Sequence, residues 1–212
     1  MIESFIPLSD ISAPLSTVIW LLVMSYIVGS IPFGLLLSKL AGHGDIRQHG
    51  SGNIGATNVL RVGGKKLAFL TLVLDGGKGA FAVFVTYDFV PEIVGTCALL
   101  AVMGHMFPIW LKFNGGKGVA TTLAALMAIS FPHGVFICLI WLLMAGLFRY
   151  SSLAALIAIT FAPLAFHVAL GGGERILPII LISTFVYIRH YQNIIRLLTG
   201  QESKIWDSKK RK

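Results

Sequence analysis

The chain has 212 residues, 56% of them hydrophobic and 12% charged, with a mean hydropathy of +0.82. A soluble domain carries about 25% charged residues, so this composition excludes an ordinary water-soluble fold and implies a bilayer protein. The net charge of +8, from 17 Lys and Arg against 9 Asp and Glu, then fits the cytoplasmic excess of cations in membrane proteins and does not call for nucleic acid.

The N-terminal MIESFIPLSD holds acids and no basic residue, unlike a cleavable signal peptide. Apolar segments near the length of a membrane helix follow at 15–41, 67–87, 93–111, 119–131, 133–148, 151–170 and 176–198. The fold class expected is an all-α polytopic membrane protein with about seven transmembrane helices, as a single integral membrane domain over 1–212. The fourth and fifth segments are short, and their ends are the least defined. The two cysteines, Cys97 and Cys138, fall in apolar runs and suggest neither a disulfide framework nor a metal site.

Charge sets the orientation. With the N-terminus outside, the segments 43–66, 112–118, 149–150 and the C-terminal tail are cytoplasmic. They hold Arg47, Arg61, Lys65, Lys66, Lys112, Lys117, Arg149, Lys204, Lys209, Lys210, Arg211 and Lys212. The outer segments hold Glu3, Asp10, Asp88, Glu92 and Glu174 with Arg175 as their cation. That asymmetry requires an odd number of spans and a cytoplasmic C-terminus, whose basic stretch from 202 to 212 would lie against anionic lipid.

The segment GSGNIGATNVLR, Gly50 to Arg61, is the most unusual. It is too polar to span a bilayer and too rich in glycine for a helix interior. It has what a phosphate site needs: Gly50 and Gly52 to turn backbone N–H groups, Ser51, Asn53, Thr57 and Asn58 as donors, and Arg61 as a fixed charge. A flexible connector is the alternative. GGKG occurs twice, at Gly76–Gly79 and at Gly115–Gly118. Gly115, Gly116 and Gly118 around Lys117 suit an anion at a helix N-terminus, whereas close helix packing through small residues is the other reading. Asp75 and Lys78 share a helix face inside the second span, as a structural pair or as part of a site. His105 reads as a histidine at a helix end. His190 and Asn193 project from one face at the end of the last span.

Several chemistries are absent. No GxxxxGK[ST] motif, no GxSxG elbow, no HxxxxD acyltransferase signature and no carboxylate cluster for a divalent metal occurs. The polar inventory favours phosphorylated substrates and needs no metal or other cofactor. A transporter of an organic phosphate is the competing function, but it predicts midplane charges and an outward path. The interior, apart from Asp75 and Lys78, is apolar.

GSIPFG at 29–34, DIRQHGSGNIGATNVLR at 45–61, LDGGKG at 74–79, GHMFPIWLKFNGGKGVAT at 104–121 and RHYQNIIRLLTGQE at 189–202 together resemble the acyl-phosphate-dependent glycerol-3-phosphate acyltransferase family (PlsY type) of bacteria. The resemblance runs from Gly29 to Glu202 in order. It implies seven helices with the motif loops on the cytoplasmic side of a bacterial inner membrane. It also implies transfer of a fatty acyl group from acyl phosphate to the 1-hydroxyl of glycerol 3-phosphate. The products are lysophosphatidic acid and phosphate, with no acyl-CoA or acyl carrier protein required. Carried over by position, Ser51 and Arg61 match the first motif and Gly115, Gly116, Lys117 and Gly118 the second, which is associated with glycerol 3-phosphate. His190 and Asn193 match the third, and Glu202 its following structural glutamate. Lys78 and Arg47 are added as further cations for phosphate. The partners implied are the two substrates and membrane lipid, with no obligate protein partner.

Overall fold

The computed structural model describes residues 11, 13–171 and 176–205. Glu3 and Asp10, the pair Glu174 and Arg175, and the basic tail at 206–212 lie outside the described residues. Their regular secondary structure is helical, without a strand among the described residues.

The first expected span is two helices, α1 (Leu15–Gly29) and α2 (Phe33–Leu40), bent by 41°. Pro32 at the bend lacks the N–H that would continue α1. The helix α3 (Ala56–Phe89) starts upstream of the expected span, so the second half of the polar segment is helical. It kinks at Gly64, whose φ of 82° favours glycine. Next come α4 (Val94–Met106), α5 (Val119–Ile129), α6 (Phe131–Phe148) and α7 (Ser151–Ala169). The last expected span is broken at His190 into α8 (Leu177–Arg189) and α9 (Tyr191–Leu198).

Length and apolarity qualify four stretches as spans among the described residues: Ala56–Phe89, Pro91–Leu111, Phe131–Phe148 and Ser151–Ala169, with α1 and α2 as a bent fifth. The seven-span expectation is thus four or five on length. At 11 and 13 residues, α5 and α8 fall short of the ~20 that a hydrocarbon core takes.

The core joins α3 to α8 through Val83, Met106, Leu126, Ile137, Phe166 and Ile182. Leu139, Leu142, Leu143 and Leu147 of α6 are each more than half exposed, a surface suited to lipid and costly in water. Helices in lipid gain little from burying apolar surface against one another and associate by close packing at small residues. A Cβ at Gly29 would lie 2.2 Å from the Ala101 carbonyl oxygen, and one at Gly104 would lie 2.3 Å from that of Tyr26. The same holds at Gly79, 2.3 Å from the Thr121 oxygen, so the first GGKG is a packing element inside α3 and not an anion site at a helix N-terminus. Gly79→Val should therefore lower the thermal unfolding midpoint in lipid, at a cost of about 1–3 kcal/mol. Gly77→Ala, where a Cβ meets nothing within 4 Å, should leave the midpoint equal or higher.

Candidate active site

The first motif folds around Asn58, which α3 holds buried. Its Oδ1 accepts the Ser51 N–H at 2.9 Å, and its Nδ2 donates to the carbonyls of Ile46 and His49 at 3.2 and 3.0 Å. Gly50 (φ 62°) has to be glycine here, because a Cβ would sit 2.2 Å from Asn58 Oδ1. Asn58 is thus the staple of the loop and not a ligand donor, which corrects the expectation. Thr57 is likewise engaged, its Oγ1 lying 3.1 Å from Ser151 Oγ at the start of α7. Arg61 donates to the carbonyls of Ser203 and Lys204 at 3.2 Å, tying α3 to the C-terminal segment.

Two expected phosphate cations are placed elsewhere. Lys78 is buried, donating to Asp75 Oδ1 and to the Ile31 carbonyl, both at 2.9 Å. Arg47 pairs with Asp45 at 2.6 Å at the surface, and its hydrogen bonds hold the Asp45 carboxyl down to about 2. Both positive charges are satisfied within the protein, so neither joins the cleft.

In the second motif, backbone lies directly on backbone. The N–H groups of Gly115 and Gly116 donate to the carbonyls of Met106 and His105 at 3.1 and 3.0 Å, so they face the end of α4 and not an anion. A Cβ on Gly115 would be 2.2 Å from the His105 oxygen, and one on Gly116 would be 2.1 Å from His105 Nε2. The carbonyls of the two glycines accept from Arg189, through Nη2 at 2.7 Å and Nε at 3.1 Å, while the guanidinium lies over the Phe107 ring. Gly118, with φ 79°, opens α5.

The third motif lies where the chain breaks between α8 and α9. His190, just beyond the last apolar helix, is buried with Nδ1 2.8 Å from the Val186 carbonyl. Nδ1 therefore carries the proton and Nε2 the free electron pair. Burial, and after it the charge of Lys117, push its pKa down to about 4, so the ring is neutral at pH 7. Asn193 accepts from Lys117 Nζ and donates to Glu202 Oε1 at 2.6 Å. Glu202 also accepts from Ser152 at 2.7 Å and from Arg196 at 2.8 Å. Burial works to raise the Glu202 pKa, and these three hydrogen bonds outweigh it and lower it.

The three motifs meet at a cleft of about 340 Å³, which takes Ser51, Gly52 and Asn53 from the first, Gly115 and Lys117 from the second, and Arg189 and Gln192 from the third. No carboxylate is among its lining residues. Sequence reasoning missed Arg189, Phe107 and Gln192. Arg189 adjoins a motif histidine, and its local sequence does not set it apart from any basic residue at a helix end, although an arginine fork suits paired carbonyls better than open water.

The sequence profile of the family described as Glycerol-3-phosphate acyltransferase matches residues 19–200. The chain belongs to this family. It is 49% identical to a glycerol-3-phosphate acyltransferase of Rhodospirillum rubrum, over 93% of this chain and 98% of the relative. With one of Mesorhizobium japonicum it shares 51%, over 87% of this chain and 94% of the relative. Among solved structures it resembles PlsY, an integral membrane glycerol 3-phosphate acyltransferase, in its glycerol 3-phosphate form. The TM-score is 0.85 and the identity 38%, over 89% of this chain and 95% of that one. Membership makes this chain a multi-pass membrane acyltransferase and displaces the transporter reading.

In this acyltransferase Lys117 is the lysine of the cleft. Burial lowers its pKa to about 8, with the Glu202 charge opposing the shift and Arg196, Arg61 and Arg189 adding to it. A lysine is cationic below its pKa, so affinity for glycerol 3-phosphate should fall as the pH rises above about 8. Calorimetry between pH 7 and 9.5 checks this, and a flat profile would remove Lys117 from phosphate binding.

Proposed function

We propose that the chain transfers a fatty acyl group from acyl phosphate to the 1-hydroxyl of glycerol 3-phosphate. The hydroxyl oxygen bonds to the acyl carbonyl carbon, the bond from that carbon to the phosphate oxygen breaks, and the hydroxyl proton leaves on phosphate. Lysophosphatidic acid and inorganic phosphate result. The observation that carries this reading is the meeting of three separate motifs at one cationic cleft with no carboxylate in its lining.

Acyl phosphate is a mixed anhydride with a good leaving group, so the site's main task is to hold two mutually repelling phosphates together. Lys117 and Arg189 supply the opposing charge, with Arg61 adding positive potential from the adjoining turn of α3. Ser51 donates a hydrogen bond to phosphate. Bringing the hydroxyl within near-attack distance of the carbonyl supplies much of the rate. A neutral His190 whose conjugate acid has a pKa of about 4 is a weak base at pH 7. A phosphate monoester, with its second pKa near 6, accepts the proton better, so the substrate phosphate is the base and His190 and Asn193 position groups.

We read the bundle as seven spans with its motif end in the cytoplasm of a bacterial inner membrane. Thr57 reaches Ser151, the Ile205 N–H donates to the Arg149 carbonyl at 2.8 Å, and Lys117 reaches Asn193, so the segments near 50, 115, 150 and 200 share one end. Because α6 and α7 are long enough to cross, α5 and α8 have to carry the chain across as well, short as they are. Neighbouring helices cover α5, α8 leaves Ile180, Tyr187 and Ile188 exposed for lipid, and local thinning of the bilayer accommodates the mismatch at modest cost.

Phosphate release by the purified protein in lipid should require acyl phosphate and glycerol 3-phosphate together, and yield lysophosphatidic acid. Release from acyl phosphate alone would indicate an acyl-enzyme or a hydrolase and bring Ser51 forward as nucleophile. His190→Ala should raise KM for glycerol 3-phosphate with turnover largely kept. Lost turnover at unchanged affinity would make His190 the base.

A further inference from the structure

Among the described residues, Asp75 and Lys78 of α3 and His105 of α4 form a buried ionisable cluster in the apolar interior. Their side chains are at most 5% exposed. Lys78 Nζ lies 2.9 Å from Asp75 Oδ1 and 2.9 Å from the Ile31 carbonyl at the bend between α1 and α2. Thr121 of α5 donates to the Asp75 carbonyl at 2.8 Å. A buried ion pair is weak evidence for stability, because apolar side chains of similar volume often do as well. The position of this one suggests a different use.

His105 links the cluster to the cleft. Its Nδ1 lies 3.6 Å from Asp75 Oδ1, beyond hydrogen-bond reach, and has no other partner. Its Nε2 edge lies against Gly116, where a Cβ would fall 2.1 Å away, and its carbonyl accepts the Gly116 N–H at 3.0 Å. Lys117 follows immediately. The imidazole is thus a wedge between a fixed carboxylate and the glycine-rich turn. A shift that closes the gap to Asp75 satisfies the orphaned nitrogen and moves the edge under Gly116. The geometry points to Asp75, Lys78 and His105 as positioning residues that set the height of the Gly115–Gly118 turn, and with it the reach of Lys117 toward the substrate phosphate. Lys78, anchored on the Ile31 carbonyl, holds Asp75 in place; Asp75 faces His105 Nδ1 across 3.6 Å; and the His105 carbonyl holds the Gly116 N–H. This inference rests on the reading of Lys117 as a phosphate contact.

The test uses Asp75→Asn, His105→Gln and the double variant, purified in lipid and checked for an unchanged elution profile and unfolding midpoint. Where Asp75→Asn leaves Lys78 uncompensated and fails to fold, Asp75→Asn combined with Lys78→Met removes both charges. Each single variant should raise KM for glycerol 3-phosphate about tenfold while KM for acyl phosphate stays within about twofold, a split that general loosening does not produce. The double variant should be no worse than either single one, because the residues act as one linkage. Folded variants with unchanged KM for glycerol 3-phosphate, with both KM values raised in parallel, or with additive effects would overturn the inference. Calorimetric binding of glycerol 3-phosphate to the same variants needs no acyl donor. If the wild type fails to use acyl phosphate, a tenfold weaker calorimetric affinity still supports the linkage, and an unchanged one overturns it.

Discussion

The carboxylate of Glu202 is the contact on which the motif end of the bundle depends. One oxygen accepts from Ser152 of α7 and Asn193 of α9, the other from Arg196, and Asn193 extends the connection to Lys117. A single buried acid thus offsets part of the repulsion among Lys117, Arg196, Arg61 and Arg189, which would otherwise drive the loops apart. Both of its oxygens are held by protein donors, and the acid is not among the residues that line the cleft. The cleft keeps its net positive character for that reason.

Close backbone packing supplies the rest of the frame. Gly29 against Ala101, Gly34 against the Ile54 carbonyl and Gly79 against Thr121 bring α1, α2, α3, α4 and α5 nearer than side chains would permit. Such contacts are rigid, since neither partner has a rotamer to change. They carry the motif loops at fixed heights on a bundle whose outer surface is free to face lipid.

Two kinds of glycine follow from the same physics. At Gly115 and Gly116 the missing Cβ lets the turn rest on the end of α4, with its N–H groups given to α4 carbonyls and its carbonyls given to Arg189. The Lys117 side chain, between neighbours that are held down, reaches the cleft and meets Asn193. At Gly50 and Gly52 the backbone adopts positive φ, and the loop folds over Asn58 to present Ser51 and Asn53. One motif works through close approach, and the other through backbone freedom.

The sequence alone determined the properties that are local or compositional. Apolar run lengths and scarce charge marked a membrane chain, and the order of GSGNIGATNVLR, NGGKG and RHYQN identified the family's motifs. Only the tertiary structure decided which polar group satisfies which. Asn58 and Ser51 had equal claims as phosphate donors until the fold gave Asn58 to its own loop. Lys78 and Lys117 sit in identical GGKG stretches, yet one meets Asp75 inside the bundle and the other reaches Asn193 at the cleft. Arg61 finds its carbonyls 142 and 143 residues away, and Arg189 finds its own 73 and 74 residues away. Residue type fixes how many hydrogen bonds a group is able to make, whereas the partner is chosen by where distant backbone comes to rest, which no local pattern encodes.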